Sequence, residues 1–248
     1  MKRFLVSLLI FLLVSSAAFA DPLTLLEDYA EDIVEPYDED DPSAGTFSYS
    51  YRYPQVDETA EGASGINVFY LDLIDYDLGF TVPFIQDSFE GYDSSTVITY
   101  EITCNNDDFF SVLIRKEENN PDISRVYWTG NVFARKNGGS GTTTNLPRYL
   151  GILDTAANDT WLEDRQTAKA DTLVREMVWE MISENSSGIS FNDDFTEEEL
   201  SHVFFPEEDF YLDETGNPVF FLQPGVAAPE DAGLLTFPVL LEDILDEL

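Results

Sequence analysis

Basic residues are scarce in this chain of 248 residues, which has 12 Lys and Arg against 49 Asp and Glu and a formal net charge of −37. The deficit is uneven, because no Lys or Arg occurs from Glu176 to Leu248. Nucleic-acid backbones and anionic membranes would be repelled by a surface of this sign. We therefore expect no nucleic-acid partner. The charge indicates either a cationic partner or a surface that only keeps the protein soluble.

Cysteine and histidine are almost absent, with Cys104 and His202 the sole examples. One cysteine excludes an internal disulfide, and a Cys-His enzyme would need these two residues as its pair. Cys104 alternates with Ile98, Tyr100 and Ile102, which predicts a buried, inert thiol on a shared strand face.

Motifs of the common catalytic and cofactor sites are also missing: there is no Gly-x-Ser-x-Gly, no His-Glu-x-x-His and no phosphate-binding loop. We predict no catalytic residue, no cofactor and no metal site. The many carboxylates leave open an alternative, an enzyme that acts on envelope glycans through two of them.

The N-terminus has the three parts of a signal peptide. Lys2 and Arg3 are positive, Phe4 to Val14 is apolar, and small residues end at Ala20. We predict a signal peptide over residues 1–20 with cleavage after Ala20, a secreted or extracytoplasmic protein, and no membrane segment after cleavage. An uncleaved anchor helix is the alternative. Export without disulfides suggests a bacterial source.

Residues 21–45 are acidic and interrupted by proline. The spacing of Leu23, Leu26, Tyr29 and Ile33 predicts a short amphipathic helix from Asp21 to Ile33, followed by a solvated tether. A single folded domain is then expected over residues 46–248.

The first half of that domain alternates strands with one helix. Ser48 to Tyr53 has strand periodicity, and the apolar residues from Ile66 to Ile74 have helical spacing. Gly79 and Pro83 predict the end or a kink of this helix. The aromatic side chains that follow are expected to cover the core: Tyr76, Phe80 and Phe84.

Three strands separated by polar turns come next and predict an antiparallel meander that ends near Arg135. A long helix from Trp161 to Ile182 and a capping box at Thr196 and Glu199 lead to an aromatic hairpin within Phe204 to Phe237. The predicted fold class is α+β, an antiparallel sheet (meander plus C-terminal hairpin) packed against two long helices.

Short motifs in a fixed order connect these elements. They are Tyr53-Pro54-Gln55, the helix from Ile66, the helix start at Asn145-Leu146, and a corner from Gln223 to Gly233 that contains Pro224, Gly225, Pro229 and Gly233. From Ser48 to Phe237 the chain resembles the extracytoplasmic domain of RsiV-like anti-sigma factors, a domain also attached to secreted polysaccharide deacetylases.

The resemblance implies an α+β fold without enzyme activity and a role in binding or sensing at the cell envelope. It also implies that the motif residues are structural. In the RsiV branch the ligand is lysozyme, a strongly basic protein.

The leading hypothesis is a secreted, non-enzymatic binding domain whose ligand is a cationic protein, lysozyme-like, or a cell-wall glycan. The candidate binding residues are Asp213, Glu214, Glu230 and Asp231, which lie in exposed turns of the basic-free C-terminal third. A self-assembling structural protein is a further alternative, with contacts through a free sheet edge.

Overall fold

The computed structural model describes residues 22–60, 62–135, 141, 143–153, 160–185 and 188–248. The strands are β1 (Tyr29–Pro36), β2 (Thr46–Tyr53), β3 (Ser94–Asn105), β4 (Phe109–Asn119), β5 (Ser124–Ala134), β6 (Phe210–Leu212), β7 (Pro218–Leu222) and β8 (Leu235–Pro238). The helices are α1 (Ala63–Tyr76), α2 (Val82–Ser88), α3 (Leu146–Tyr149), α4 (Thr160–Glu184), α5 (Glu197–Val203) and α6 (Leu241–Glu247).

The long strands form one sheet in the order β1-β2-β3-β4-β5. β2 and β3 are parallel because α1 and α2 carry the chain back to the end where β2 began, and the other pairs are antiparallel. β3, β4 and β5 are the predicted meander. Ile66, Tyr70 and Ile74 of α1 pack on one face of this sheet and form its core there.

The C-terminal hairpin forms a second sheet, β6-β7-β8, instead of joining the first. Val174, Val178 and Ile182 of α4 are buried in the cluster that contains it. Cys104 and Val132 of the five-stranded sheet belong to the same cluster, so the second sheet and α4 lie on the face opposite α1. The predicted α+β class is confirmed, with two sheets rather than one.

The prediction of a helix and tether in residues 21–45 is wrong for the part that the structure describes. Tyr29–Pro36 is strand β1, which pairs with β2 over its full length. Residues four apart, such as Tyr29 and Ile33, share a side of a strand as well as of a helix, so their spacing did not distinguish the two. Leu23 is buried, and Asn105 holds its backbone through hydrogen bonds of 2.7 and 3.0 Å.

Gly79 and Pro83 do not end the first helix. The chain passes from α1 through a π-helical turn, Asp77–Thr81, directly into α2. Pro83 occupies the first turn of α2, where the missing N–H is tolerated.

The prediction that Tyr76, Phe80 and Phe84 cover the core is also wrong, because all three are exposed. The residues of these helices that are buried against the sheet are instead Ile66, Tyr70, Ile74 and Val82.

Cys104 is buried as predicted, but it does not share a face with Ile98. The register of β3 against β4 shifts between Ile102 and Cys104, and this irregularity turns Cys104 toward the second core.

The predicted signal peptide, residues 1–20, lies outside the described residues. Among the residues that are described, no helix is long and apolar enough to cross a membrane.

Candidate functional site

Three ion pairs lie on the β4–β5 hairpin. Arg115 binds Glu117 at 2.8 Å, while Lys116 and Arg125 bind Glu118 at 2.9 and 2.7 Å. Burial opposes ionisation of Glu118, but the hydrogen bonds and charges of its two partners prevail and lower the pKa of that carboxyl. These three cations are therefore neutralised by carboxylates of their own hairpin.

Asp213 and Glu214 lie in the turn between β6 and β7. The Asp213 carboxylate accepts hydrogen bonds from the backbone N–H groups of Thr215 and Asn217, both at 2.9 Å. Burial opposes its ionisation, but these and the other hydrogen bonds of the turn lower its pKa. The Asp213 carboxylate thus stabilises the turn through hydrogen bonds, whereas Glu214 is exposed.

Glu230 and Asp231 are exposed in a 3₁₀ turn between β7 and β8. This connection leaves the end of β7 opposite the β6–β7 turn, and the five residues of β7 span about 13 Å. The four predicted binding residues therefore form two separate acidic patches at opposite ends of the small sheet.

The motif Tyr53-Pro54-Gln55 lies at the end of β2. Tyr53 stacks on Tyr70 of α1 with ring centroids 5.3 Å apart, and Pro54 is buried. The Gln55 carbonyl accepts a hydrogen bond from Leu26 at 2.8 Å. These contacts hold the N-terminal segment and α1 against the sheet.

The corner motif lies between β7 and β8. Gly225 and Gly233 have φ of 77° and 72°, in the left-handed region that favours glycine. Pro229 precedes the 3₁₀ turn, and Pro224 lies two residues after the end of β7. These four residues therefore shape the turns of the backbone between β7 and β8.

Sequence reasoning missed a groove on the α1 side of the large sheet. α1 packs over the end of β2, where Tyr53 stacks on Tyr70. Its Phe69 and Tyr70 rings also contact Phe133 of β5, and beyond these contacts part of the same face of β4 and β5 stays open. The resulting cavity is about 280 Å³. Its walls and floor are mainly apolar, and its polar groups are Asp77, Lys116, Thr129 and Asn131.

A second cavity, of about 430 Å³, shares Phe69, Thr129 and Asn131 with the groove and reaches Arg148 and Glu207. Asp77 accepts a hydrogen bond of 2.6 Å from the Tyr49 hydroxyl, and the Lys116 ammonium lies 5.6 Å from the centre of the Tyr127 ring. Apolar rings combined with hydroxyl, amide and charged groups suit a polar ligand that has an apolar face.

One signal in the sequence could have revealed the groove. Tyr127, Thr129 and Asn131 alternate along β5 on the face whose next member, Phe133, is buried core. Polar residues at positions that alternate with core residues indicate an uncovered part of the sheet.

Cys104 and His202 show no catalytic arrangement. Burial, and to a smaller extent the Asp213 carboxylate, raises the pKa of the Cys104 thiol to about 11, so the thiolate is scarce at neutral pH. His202 is exposed at the end of α5. Within the described residues, no group of three or more His, Cys, Asp or Glu side chains is placed to hold a metal ion.

Comparison with known proteins gives fold neighbours. No family model and no curated protein matches the chain. A member of the DUF3298 family from Bacteroides fragilis matches with a TM-score of 0.52 and 9% identity, over 90% of this chain and 93% of that chain. A DUF3298 family protein from Pseudomonas aeruginosa PAO1 matches with a TM-score of 0.52 and 10% identity, over 92% and 94%. The chain is thus similar in fold to DUF3298 family proteins, a family named for a domain of unknown function.

Proposed function

We propose that this protein is an extracytoplasmic, non-enzymatic binding domain whose ligand is a cationic protein. The observation that carries the proposal is the separation of charge. Arg115, Lys116 and Arg125 are held by Glu117 and Glu118, whereas both acidic patches of the C-terminal sheet lie in a stretch of sequence, Glu176 to Leu248, that contains no Lys or Arg. Such a surface attracts a basic protein and speeds its encounter.

Two further lines support the proposal. The fold neighbours are DUF3298 family proteins, and the ordered motifs resemble RsiV-like domains, for which a basic ligand is implied. The signal-peptide pattern of residues 1–20 would deliver the domain to a compartment where it could meet such a ligand.

Titration calorimetry with hen lysozyme and with cytochrome c, two basic proteins of different shape, tests the proposal. At low salt we expect saturable binding of at least one of them, and weaker binding as salt screens the charges. Succinylated lysozyme is the matched control, since it has a similar size but reversed charge, and should not bind. Absence of binding to both basic proteins at low salt would contradict the proposal, as would equal binding of the succinylated control.

The groove favours a second candidate ligand, a cell-wall glycan. A sugar ring could lay its apolar face on the Tyr127 ring and direct hydroxyls toward Asn131 and Asp77. Nuclear magnetic resonance titration with chitotetraose should then shift groove resonances, and Tyr127→Ala should abolish the shifts. Tyr92→Ala, at an exposed tyrosine outside the groove, is the control. Shifts spread over the surface, or unaffected by Tyr127→Ala, would exclude this site.

A further inference from the structure

An aromatic row runs along the outer face of α1 and α2. Tyr76, Phe80 and Phe84 are four residues apart, and their exposed fractions are 59%, 62% and 64%. We call these three residues the α1–α2 face.

A π-helical turn, Asp77–Thr81, contains Phe80 and separates Tyr76 from Phe84. In an α-helix of 3.6 residues per turn, each step of four residues drifts about 40° around the axis. The wider turn at Asp77–Thr81 holds more residues per turn and offsets this drift between Tyr76 and Phe84. The rings of Tyr76 and Phe80 lie side by side, with centroids 5.6 Å apart.

The row is not needed for the core. Ile66, Tyr70 and Ile74 on the opposite side of α1 are buried, and they complete the packing on the sheet. Three aromatic side chains of about 200 Å² each, exposed to about 60%, present about 350 Å² of apolar surface. A patch of about 300–600 Å² is the largest on a typical monomer and is often functional.

Charge around the face restricts what can cover it. Asp72, Asp75, Asp87 and Glu90 are exposed on the same helices or just after them. The sequence from Tyr53 to Ile114 contains no Lys, Arg or His. A second copy of this chain would place carboxylates against carboxylates, and an anionic membrane would be repelled. The complementary occupant has an apolar strip bordered by basic residues.

We propose that the α1–α2 face is the docking surface for a cationic amphipathic segment of the partner protein, with Tyr76, Phe80 and Phe84 against its apolar strip and the carboxylates against its Lys and Arg side chains. The inference rests on the proposed function and adds the place of binding and the chemistry of the bound segment.

Paired substitutions with matched controls test the face. Phe80→Ser with Phe84→Ser should weaken binding at least tenfold, while Phe205→Ser with Leu240→Ser, at two exposed apolar residues elsewhere, should change it less than twofold. Asp72→Asn with Asp75→Asn should weaken binding more than Asp193→Asn with Asp194→Asn, although both double variants change the net charge equally. Melting temperatures verify that all variants are folded.

Two probes are used with each variant: the basic protein bound in calorimetry, and a synthetic helix of Leu on one side and Lys on the other. A peptide of the same composition in scrambled order is the control, and we expect at least tenfold weaker binding for it. If the basic protein binds but all four double variants bind it equally, the docking surface is wrong and the proposed function stands. If no basic protein binds but the ordered peptide binds the α1–α2 face, the proposed function is wrong. The face would still be upheld as a docking surface for a cationic amphipathic segment. Equal binding of ordered and scrambled peptides, or binding of the face to vesicles of neutral phosphatidylcholine, would overturn the inference.

Discussion

Gly130 sets how closely the two sheets approach each other. A Cβ at this position of β5 would collide with the carbonyl oxygen of Phe210 in β6. Because that oxygen belongs to the backbone of a packed strand, it cannot move aside as a flexible side chain could. We expect Gly130→Ala to lower the free energy of unfolding by about 3 kcal/mol, the upper end of ordinary overpacking costs, as measured by urea denaturation.

Gly79→Ala is the control for this substitution. Gly79 lies in the π-helical turn with open space around it, so the change should stay within about 1 kcal/mol and can be stabilising. Equal effects of the two substitutions would show that β6 does not approach β5 as described.

Asp209 predicts a pH dependence of stability. Burial, opposed by a hydrogen bond from the Phe205 N–H, raises its pKa from 3.8 to about 6. The folded state therefore binds the proton more tightly than the unfolded state, and the stability from this site is lost as pH rises from about 4 through 6. Asp209→Asn removes the titration but keeps an oxygen that can accept the bond.

The readout is the difference in melting temperature between the wild type and Asp209→Asn, since titrations elsewhere largely cancel. The wild type should lose stability relative to the variant as pH rises from 4 to 7. A constant difference over this range would contradict the assignment.

At the scale of elements, β1 shows that the N-terminal segment is part of the fold. Leu23 is buried at the start of this segment, whereas Leu26 is exposed. Leu23→Ala should lower the free energy of unfolding by about 2–5 kcal/mol, and Leu26→Ala by no more than about 0.5 kcal/mol. Chemical denaturation of both variants checks this; similar small losses would mean that the segment does not pack on the sheet.

Gln223 joins the two sheets as if it were one more residue of a strand. Its side-chain oxygen accepts from the Trp128 N–H, and its NH₂ donates to the Trp128 carbonyl, both at 2.8 Å. Gln223→Ala should lower the free energy of unfolding by about 1–3 kcal/mol and speed hydrogen exchange of the Trp128 amide. Gln223→Glu, which lacks the donor, should be no better than Ala. Unchanged protection of that amide would exclude the bridge.

Local signals in the sequence were sufficient for most elements. The capping box at Thr196 and Glu199, the Asn145 cap and the meander turns act within a few residues, and the structure has each of them. The α+β class follows from their grouping.

What could not be predicted depends on contacts between distant residues. β1 forms because β2 offers it an edge, and the hairpin forms its own sheet because Gly130 and Ser111 let β6 lie across β4 and β5. The exposure of the aromatic row could not be inferred from spacing alone, since an outer and an inner helix face have the same period. The groove could not be predicted either, because it depends on how much of β4 and β5 is left uncovered by α1.

At the scale of the whole molecule, charge opposes self-assembly through the free edge of β1. Glu31, Asp32 and Glu35 are exposed on that strand. Pairing of two copies along the edge would bring these carboxylates together, and Pro36 lacks the N–H that a full ladder needs. The same carboxylates would attract the basic partner that we propose.

We propose that this acidic domain binds a cationic protein, and the association rate constant with lysozyme tests that proposal directly. Stopped-flow fluorescence would follow binding as ionic strength rises from about 0.01 M to 0.15 M, where the screening length falls from about 30 Å to 8 Å. We expect a rate constant that falls at least tenfold over this range, because attraction between opposite charges guides the encounter. A rate that does not depend on salt, or no binding at the lowest ionic strength, would contradict it.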